Sequence, residues 1–445
     1  MGRIAVSLIA GLLLSATNLG HAQMSDLQKP MYPLTPAETV LYSFLGGSDG
    51  FLPTSSLIVD AGGSLYGTTP NGGDSNNGTV FQLTPPTPGN SSWTETVLHR
   101  FEGGLDGSYP WGGVIFGPGG ALYGATAYGG TFNIGTVFKL TPPKKGGTQW
   151  TNSVLYSFTG KADGGAPFAG LTIDASGSLY GVTAYGGTLN IGTVFKLTPA
   201  ATEQVPWTES VLHTFSGADG AFPNAAPTLS SKGELFGTTP NGGAAFEGTV
   251  FELTPPAAGQ TQWTDKVLYS FTGLADGGQP YAGVIVDESG ALYGATLIGG
   301  TSNLGAAFKL TPPRKGQTLW TETVLHSFAG GADGARVLAG LTFGARGALF
   351  GTTGEGGPSN LGTVFKLTPP ANGQSQWTET VLHGFTGNDG AEPGASVIFR
   401  TPRVLFGTTA SGGLSKEGTV FELTSEKRCD HDLLATNVGA ARKCK

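Results

Sequence analysis

Charged side chains are scarce in this chain, and the cations among them form no basic surface. Only 12% of the 445 residues are charged, and the 24 Lys and Arg against 31 Asp and Glu give a formal net charge of -7. Lys144 and Lys145 are a local pair rather than part of a longer basic stripe. Nucleic acids and anionic membranes attract clustered Lys and Arg. We therefore expect neither as a partner.

The chain also lacks a hydrophobic run long enough to cross a membrane. The run from Ile4 to Leu14 is well short of the roughly 20 apolar residues that a spanning helix needs. It follows Arg3 and precedes Gly20-His21-Ala22, which has the small-x-small form of a signal peptidase site. We predict a signal peptide over residues 1–22, a linker over 23–35, and an exported protein that is periplasmic, on the cell surface or extracellular.

Cysteine is nearly absent. Cys429 and Cys444 are the two in the chain, and both lie in a polar tail over residues 426–445. No cysteine lies near Ala22, which argues against lipid attachment there. Because an oxidising compartment favours disulfides, we predict one between Cys429 and Cys444.

Glycine, in contrast, is abundant and recurs at fixed places in a repeat. The chain has 75 glycines. The signature Val-Leu-(Tyr/His)-x-Phe returns about every 57 residues, beginning at Val40, Val97, Val154, Val211, Val267, Val324 and Val381. A second signature, Gly-Thr-Val-Phe, begins at Gly78, Gly135, Gly192, Gly248, Gly362 and Gly418, and has drifted at Gly305. Self-similarity at a fixed period predicts a repeat architecture.

Each repeat contains four short runs rich in β-branched and aromatic residues, whereas no segment after the signal has a helical period. In the second copy the runs are Val114 to Phe116, Leu122 to Thr126, Thr136 to Leu140 and Thr151 to Phe158. Four strands in each of seven repeats predict an all-β fold, a seven-bladed β-propeller of four-stranded blades over residues 36–425. A β-solenoid is the alternative, but its coils usually need about half this period.

The order of the runs also predicts how the ring closes. The chain begins with an outer strand, Glu38 to Phe44, and ends with three inner strands, Ser396 to Leu423. Pairing of these two pieces would complete one blade and leave no open sheet edge. We expect this N-terminal outer strand to close the propeller.

The repeat resembles a known family. Leu-Tyr-Gly-Thr-Thr, then Gly-Gly, then Asn-x-Gly-Thr-Val-Phe-Lys-Leu-Thr-Pro is similar to the bacterial GloVer tandem repeat, named after Gloeobacter and Verrucomicrobia, over residues 36–425. The resemblance implies a tandem-repeat protein and specifies no activity. Members of that family carry varied surface anchors, whereas the tail from Glu426 to Lys445 is polar and has no hydrophobic sorting segment.

Three polar or aromatic positions recur with the repeat and fit structural roles. One Asp per copy precedes Gly in a loop and is expected to accept backbone N–H groups in its own turn: Asp49, Asp106, Asp163, Asp219, Asp276, Asp333 and Asp389. Four His exchange with Tyr at the equivalent position, which implies shared packing: His99, His213, His326 and His383. One Trp in six copies is expected to cover blade edges: Trp93, Trp150, Trp207, Trp263, Trp320 and Trp377. These patterns predict no metal site and no cofactor.

A ligand site is expected where the sevenfold pattern breaks, because a ring that binds one asymmetric ligand must use unequal blades. The residue after a recurring loop Pro varies among the copies and is Thr54, Asn224, Gly394 or one of the aromatic Trp111, Phe168 and Tyr281; Leu338 stands at this position in the copy that has lost its Pro. The neighbouring Gly-Gly loops add Tyr128, Tyr185, Glu247, Glu355 and Glu417. Near the ring axis, Trp111, Phe168 and Tyr281 could stack on a sugar or a peptide. Alternatively, the rings plug the channel mouth.

These observations favour a monomeric, exported, non-enzymatic binding or scaffold protein with a glycan or protein ligand on the loop face. The alternative is a carbohydrate-active lyase or hydrolase that uses Glu247, Glu355 or Glu417 as acid or base. Gly73-Asp74-Ser75 superficially resembles an esterase nucleophile block, but other copies place Thr131-Phe132 and Thr188-Leu189 at Asp74-Ser75. No Gly-x-Ser-x-Gly elbow with placed partners occurs.

Overall fold

The computed structural model describes residues 36–145, 147–200, 206–371 and 374–424. The predicted signal peptide, the linker and the tail with its disulfide lie outside the described residues and stay predictions. Within the described ranges, no helix is both long and apolar enough to cross a membrane.

The described residues form seven four-stranded antiparallel sheets, which confirms the predicted seven-bladed β-propeller. Blade 1 contains β2 (Ile58–Val59), β3 (Leu65–Thr69), β4 (Thr79–Thr84) and β5 (Thr94–Arg100). Blade 2 contains β6 (Val114–Phe116), β7 (Leu122–Thr126), β8 (Thr136–Thr141) and β9 (Thr151–Ser157). Blade 3 contains β10 (Thr172–Ile173), β11 (Leu179–Thr183), β12 (Thr193–Thr198) and β13 (Thr208–Thr214).

The remaining blades repeat this order. Blade 4 contains β14 (Thr228–Leu229), β15 (Leu235–Thr239), β16 (Thr249–Thr254) and β17 (Thr264–Ser270). Blade 5 contains β18 (Ile285–Val286), β19 (Leu292–Thr296), β20 (Ala306–Thr311) and β21 (Thr321–Ser327). Blade 6 contains β22 (Thr342–Phe343), β23 (Leu349–Thr353), β24 (Thr363–Thr368) and β25 (Thr378–Gly384). Short 3-10 helices lie in the loops at Gly47–Asp49, Gly104–Asp106, Pro118–Gly120, Gly331–Asp333 and Ala345–Gly347.

Blade 7 is built from both ends of the repeat region. Its inner strands are β26 (Ile398–Thr401), β27 (Val404–Thr409) and β28 (Thr419–Thr424), and its outer strand is β1 (Ala37–Ser43). β1 pairs antiparallel with β28, from Ala37 opposite Thr424 to Ser43 opposite Thr419. The predicted closure of the ring is therefore confirmed.

The two sequence signatures meet at every junction between blades. The Phe that ends the first signature packs edge-to-face against the Phe of the second signature in the next blade, with ring centroids 5.0 to 5.2 Å apart. Phe44 meets Phe81 in this way, and Phe385 meets Phe421. These rings are fully buried, and such pairs add roughly 0.5–1.5 kcal/mol beyond their area burial. The core is thus distributed over seven equivalent junctions.

A glycine makes room for each of these rings. A Cβ on Gly67 would lie 2.6 Å from Phe81 Cζ, and a Cβ on Gly124 would lie 2.5 Å from Phe138 Cζ. The same close approach occurs at Gly181, Gly237, Gly294, Gly351 and Gly407. The Gly of the Leu-Tyr-Gly run is therefore required by packing.

Tryptophans from the outer strands pack against the neighbouring blade. Trp93 lies edge-to-face on Phe406 at 6.0 Å, and Trp263 lies on Tyr180 at 6.4 Å. Trp377 contacts Tyr293 at 6.4 Å. These contacts place the rings over blade edges, as their recurrence indicated.

Candidate functional site

The loop between an outer strand and the next blade runs inward across one face of the propeller and reaches the axis just after a Pro, which is replaced by Val337 in one copy. This face also carries the Gly-Gly loops, such as residues 70–78, and is called the loop face below. Seven side-chain positions meet there around a central cavity of about 360 Å³. This inner ring consists of Thr54, Trp111, Phe168, Asn224, Tyr281, Leu338 and Gly394.

The inner ring places residues of different chemical types at equivalent positions around one axis. Trp111, Phe168 and Tyr281 all line the cavity, with Asn224 between Phe168 and Tyr281 and with Thr54 next to Trp111. Thr54 Oγ1 is buried and has no hydrogen-bond partner among the described residues. At Gly394 the wall is open, because no heavy atom of the described chain lies within 4 Å of where a Cβ would stand. The cavity mouth is thus asymmetric, although the blades around it are alike.

The residue two positions before each inner-ring residue forms an outer ring that sequence reasoning missed. It consists of Leu52, Tyr109, Ala166, Phe222, Gln279, Arg336 and Glu392, all with φ between 51° and 64°. Side chains rarely adopt this left-handed backbone, at a cost of order 1–3 kcal/mol each. The N–H group of each donates to a carbonyl in the preceding blade's Gly-Gly loop at 2.7 to 3.0 Å. The backbone N–H groups of these strained residues therefore hydrogen-bond adjacent blades to each other at the loop face.

An aromatic sector extends outward from the cavity. Tyr128 packs edge-to-face against Tyr109 at 5.8 Å and against Phe168 at 6.1 Å. Tyr185 contacts Phe222 at 6.0 Å. Tyr128 and Tyr185 keep 39% and 41% of their surface exposed. Tyr128 thus contacts the inner ring directly through Phe168, whereas Tyr185 contacts the outer ring, and both tyrosines stay partly exposed.

The three loop glutamates lie in blades 4, 6 and 7, and two of them engage outer-ring side chains. Gln279 Nε2 donates to Glu247 Oε2 at 3.3 Å. Arg336 Nε lies 3.0 Å from Glu355 Oε1 in an ion pair that is nearly half exposed. Glu417 lies against Gly46, and its carbonyl accepts the N–H of Leu52. None of the three glutamates lines the cavity, so the structure places them on the loop face but outside the inner ring.

The recurring Asp and its Tyr or His partner lie at each junction between blades. Tyr42 Oη donates to Asp49 Oδ1 at 2.8 Å, and the N–H of Leu45 donates to Asp49 Oδ2 at 2.7 Å. His213 Nε2 and Asp219 Oδ2 are hydrogen-bonded at 2.9 Å. Burial opposes ionisation of Asp219, but hydrogen bonds from His213 and Ser216 outweigh it and lower the pKa of Asp219. The prediction that each Asp accepts backbone N–H bonds in its own loop matches these contacts.

Within the described ranges, two junctions bring three groups together that could hold a metal ion. His213, Asp219 and Asp265 place one ligand atom each within 4.8 Å of one another, as do Glu38, His383 and Asp389. Sequence reasoning expected no such convergence, because it did not foresee an acid reaching in from the adjacent outer strand. Three other junctions carry Tyr in place of His, so the role common to the set is a hydrogen bond between an outer strand and the Asp in the loop that follows it.

Comparison with known proteins identifies the repeat. The Gloeobacter/Verrucomicrobia repeat matches residues 10–171, 144–342 and 320–440. The chain belongs to this family. The Gloeobacter/Verrucomicrobia repeat thus accounts for all seven blades, and the resemblance seen in the sequence is confirmed. No curated relative matches the sequence.

Several solved structures resemble this member of the Gloeobacter/Verrucomicrobia repeat family. A protein of Thermus thermophilus described as an oxidoreductase (glucose dehydrogenase) is 14% identical, with 87% of this chain and 99% of that chain covered and a TM-score of 0.39. A protein of Bacteroides uniformis described as a 6-phosphogluconolactonase is 15% identical, with coverages of 76% and 86% and a TM-score of 0.46. A luciferin-regenerating enzyme is 12% identical, with coverages of 87% and 95% and a TM-score of 0.40. Similarity at this level assigns no activity.

Proposed function

We propose that this protein is an exported, non-enzymatic binding propeller that recognises a glycan at the cavity mouth on the loop face. The observation that carries the proposal is the inner ring, in which six unlike side chains and Gly394 surround one cavity of about 360 Å³. Sugar rings present apolar C–H faces and hydroxyl edges, so they are bound by aromatic side chains combined with a few polar groups. Trp111, Phe168 and Tyr281 offer the aromatic faces, and Asn224 offers a polar contact.

A lyase or hydrolase is less well supported by the same contacts. Glycosidases use two carboxyl groups placed about 5–9.5 Å apart across the scissile bond. Glu247 engages Gln279, and Glu355 engages Arg336, so both have protein partners. These contacts favour carboxylates that hold outer-ring side chains over a free acid and base pair.

The test is a glycan array probed with the full chain, together with a reducing-sugar assay on the glycans that bind. We then expect the double variant W111A/Y281A to bind the selected glycan about 30-fold more weakly. Loss of the two rings should remove about 2 kcal/mol of contact energy. Isothermal calorimetry would measure the dissociation constant, and circular dichroism would verify the fold.

A second variant blocks the site without removing any contact. Gly394→Trp should fill the open part of the mouth and abolish binding while the melting temperature stays unchanged, because a Cβ at this position meets open space. Leu319→Ala is the matched control, since Leu319 is 81% exposed in the loop between β20 and β21, away from the loop face. Full affinity in folded W111A/Y281A and G394W proteins would refute the site, and sugar release by the wild type would favour the enzyme.

A further inference from the structure

Each junction between blades contains a third polar side chain that faces the Asp from the adjacent outer strand. The junction trio is defined as the Tyr or His, the Asp and this facing group. The trios are Tyr42–Asp49–Glu95, His99–Asp106–Asn152, Tyr156–Asp163–Glu209, His213–Asp219–Asp265, Tyr269–Asp276–Glu322, His326–Asp333–Glu379 and His383–Asp389–Glu38. In six of the seven, the facing group is a second carboxyl.

One of the seven facing groups is an amide, and it shows that the facing side chain can donate a hydrogen bond to the Asp. Asn152 Nδ2 donates to Asp106 Oδ1 at 2.5 Å. Asp106 also accepts the N–H of Glu102 and contacts His99 Nε2. The Asp in this trio is thus surrounded by donors, and the side chain of the adjacent blade supplies one of them.

An ionised carboxylate cannot supply that hydrogen bond. In every trio one oxygen of the facing side chain is sealed from solvent and has no hydrogen-bond partner among the described residues: Glu38 Oε1, Glu95 Oε1, Asn152 Oδ1, Glu209 Oε1, Asp265 Oδ1, Glu322 Oε1 and Glu379 Oε1. Burying an unpaired charged oxygen against a second carboxylate is costly. A protonated carboxyl avoids this cost, since its O–H can donate to the Asp as the amide of Asn152 does.

We propose that Glu95, Glu209 and Glu322 are protonated in the folded protein and donate hydrogen bonds to Asp49, Asp163 and Asp276. These bonds stabilise the contact between adjacent blades, and loss of the protons at higher pH destabilises the propeller. The proposal is confined to the three trios with Tyr and is independent of the proposed function. It assigns a role to carboxyl groups that lie on the outer strands, away from the cavity.

The surroundings of the three glutamates support this protonation. Burial and the charge of Asp49 raise the pKa of Glu95 to about 7, with Arg100 opposing the shift. Burial and Asp163 raise the pKa of Glu209 to about 7, and burial and Asp276 do the same for Glu322. The remaining titratable neighbours are Tyr42, Tyr156 and Tyr269, whose pKa values are raised by burial and by hydrogen bonds to the Asp residues. They stay neutral in this pH range.

The direction of the pH effect follows from linkage. A carboxyl whose folded pKa is about 7 holds its proton more tightly in the folded chain than in the unfolded chain, where its pKa is 4.5. The folded state therefore binds more protons between about pH 4.5 and 7, and stability falls as the pH rises through this window. Above about pH 7, the stability contributed by these protons is fully lost.

The experiment is thermal unfolding of the full chain at pH 5, 6, 7 and 8, with the wild type compared with E95Q/E209Q/E322Q. We expect the wild-type melting temperature to fall by several degrees from pH 5 to pH 8. The triple variant, with a permanent amide donor in each Tyr trio, should fall less and melt above the wild type at pH 8. The four His trios are the same in both proteins, so the difference in slope reports the three glutamates.

Two further variants complete the experiment, one as a control and one with the opposite expected effect. Glu102→Gln, at an exposed position, should follow the wild type, and Asn152→Asp should steepen the fall by adding a carboxyl to the amide trio. If the triple variant does not fold, calorimetry of Glu209→Gln in two buffers of different ionisation enthalpy counts the protons released on unfolding at pH 6. We expect fewer than in the wild type. An equal proton count, a wild-type slope in the triple variant, or a wild-type melting temperature that does not fall would overturn the proposal.

Discussion

At the scale of single residues, packing at the blade junctions leaves no space for a methyl group beside the buried phenylalanines. A Cβ on Gly124 would lie 2.5 Å from Phe138 Cζ and 3.0 Å from the Gly113 carbonyl oxygen. We expect Gly124→Ala to lower the free energy of unfolding by about 1–3 kcal/mol, the usual cost of overpacking a core. Denaturant unfolding would measure this difference.

The matched control for that change is Gly394→Ala. Its methyl group meets no heavy atom of the described chain within 4 Å, so stability should stay within about 0.5 kcal/mol of the wild type. Equal effects of the two substitutions would show that the Phe contact does not set the requirement for glycine.

The residues that sequence reasoning missed depend on contacts between blades. Glu95 occupies one position of an alternating outer strand, and such a position is normally solvated. Glu95 is instead partly buried and lies near Asp49, which belongs to a different repeat. Tyr109 was missed for a related reason, because its positive φ is fixed by a hydrogen bond to the Asn77 carbonyl of the preceding blade. A pattern inside one repeat does not contain these contacts.

At the scale of strands, the repeat predicted the elements closely. The runs at Val114 to Phe116 and Leu122 to Thr126 coincide with β6 and β7. The third run ends one residue earlier than β8, and the fourth extends one residue beyond β9, where Phe158 leaves the sheet and enters the junction core. Alternating patterns and turn glycines fix strands locally, whereas the packing partner of each Phe depends on the ring.

The strand that closes the ring, β1, should be essential for stability. β1 supplies the outer edge of blade 7 and leads to Phe44, which is fully buried against Phe81. Deleting residues 23–46 should therefore destabilise the whole ring by several kcal/mol, because it exposes β28 and empties a core position. Differential scanning calorimetry would measure the loss. The control is deletion of residues 23–35, which keeps β1, and an unchanged melting temperature for the longer deletion would contradict the closure.

At the scale of the whole molecule, seven equivalent junctions without a free edge should unfold together. Repeat proteins are stabilised by contacts between neighbours, and in a closed ring every blade has two. We expect Phe308→Ala, which empties one junction, to cost about 3–5 kcal/mol and yet leave a single unfolding transition. Calorimetry would test this through the ratio of the calorimetric to the van't Hoff enthalpy, and a separate early transition for part of the chain would argue against ring-wide cooperativity.

The bond between the two ends of the ring has a consequence for the order of folding. Thr424 Oγ1 donates to the Ala37 carbonyl across 387 positions of sequence. The entropy of closing a loop grows with its length, and contacts of high sequence separation slow folding. Blades 1 to 6 each bring their four strands from one continuous stretch, so they can form while the ring is an open arc. Blade 7 must wait for the final repeat to be synthesised. Completion of the ring is therefore coupled to synthesis of β28, and the nascent protein remains an unclosed arc until this last strand arrives.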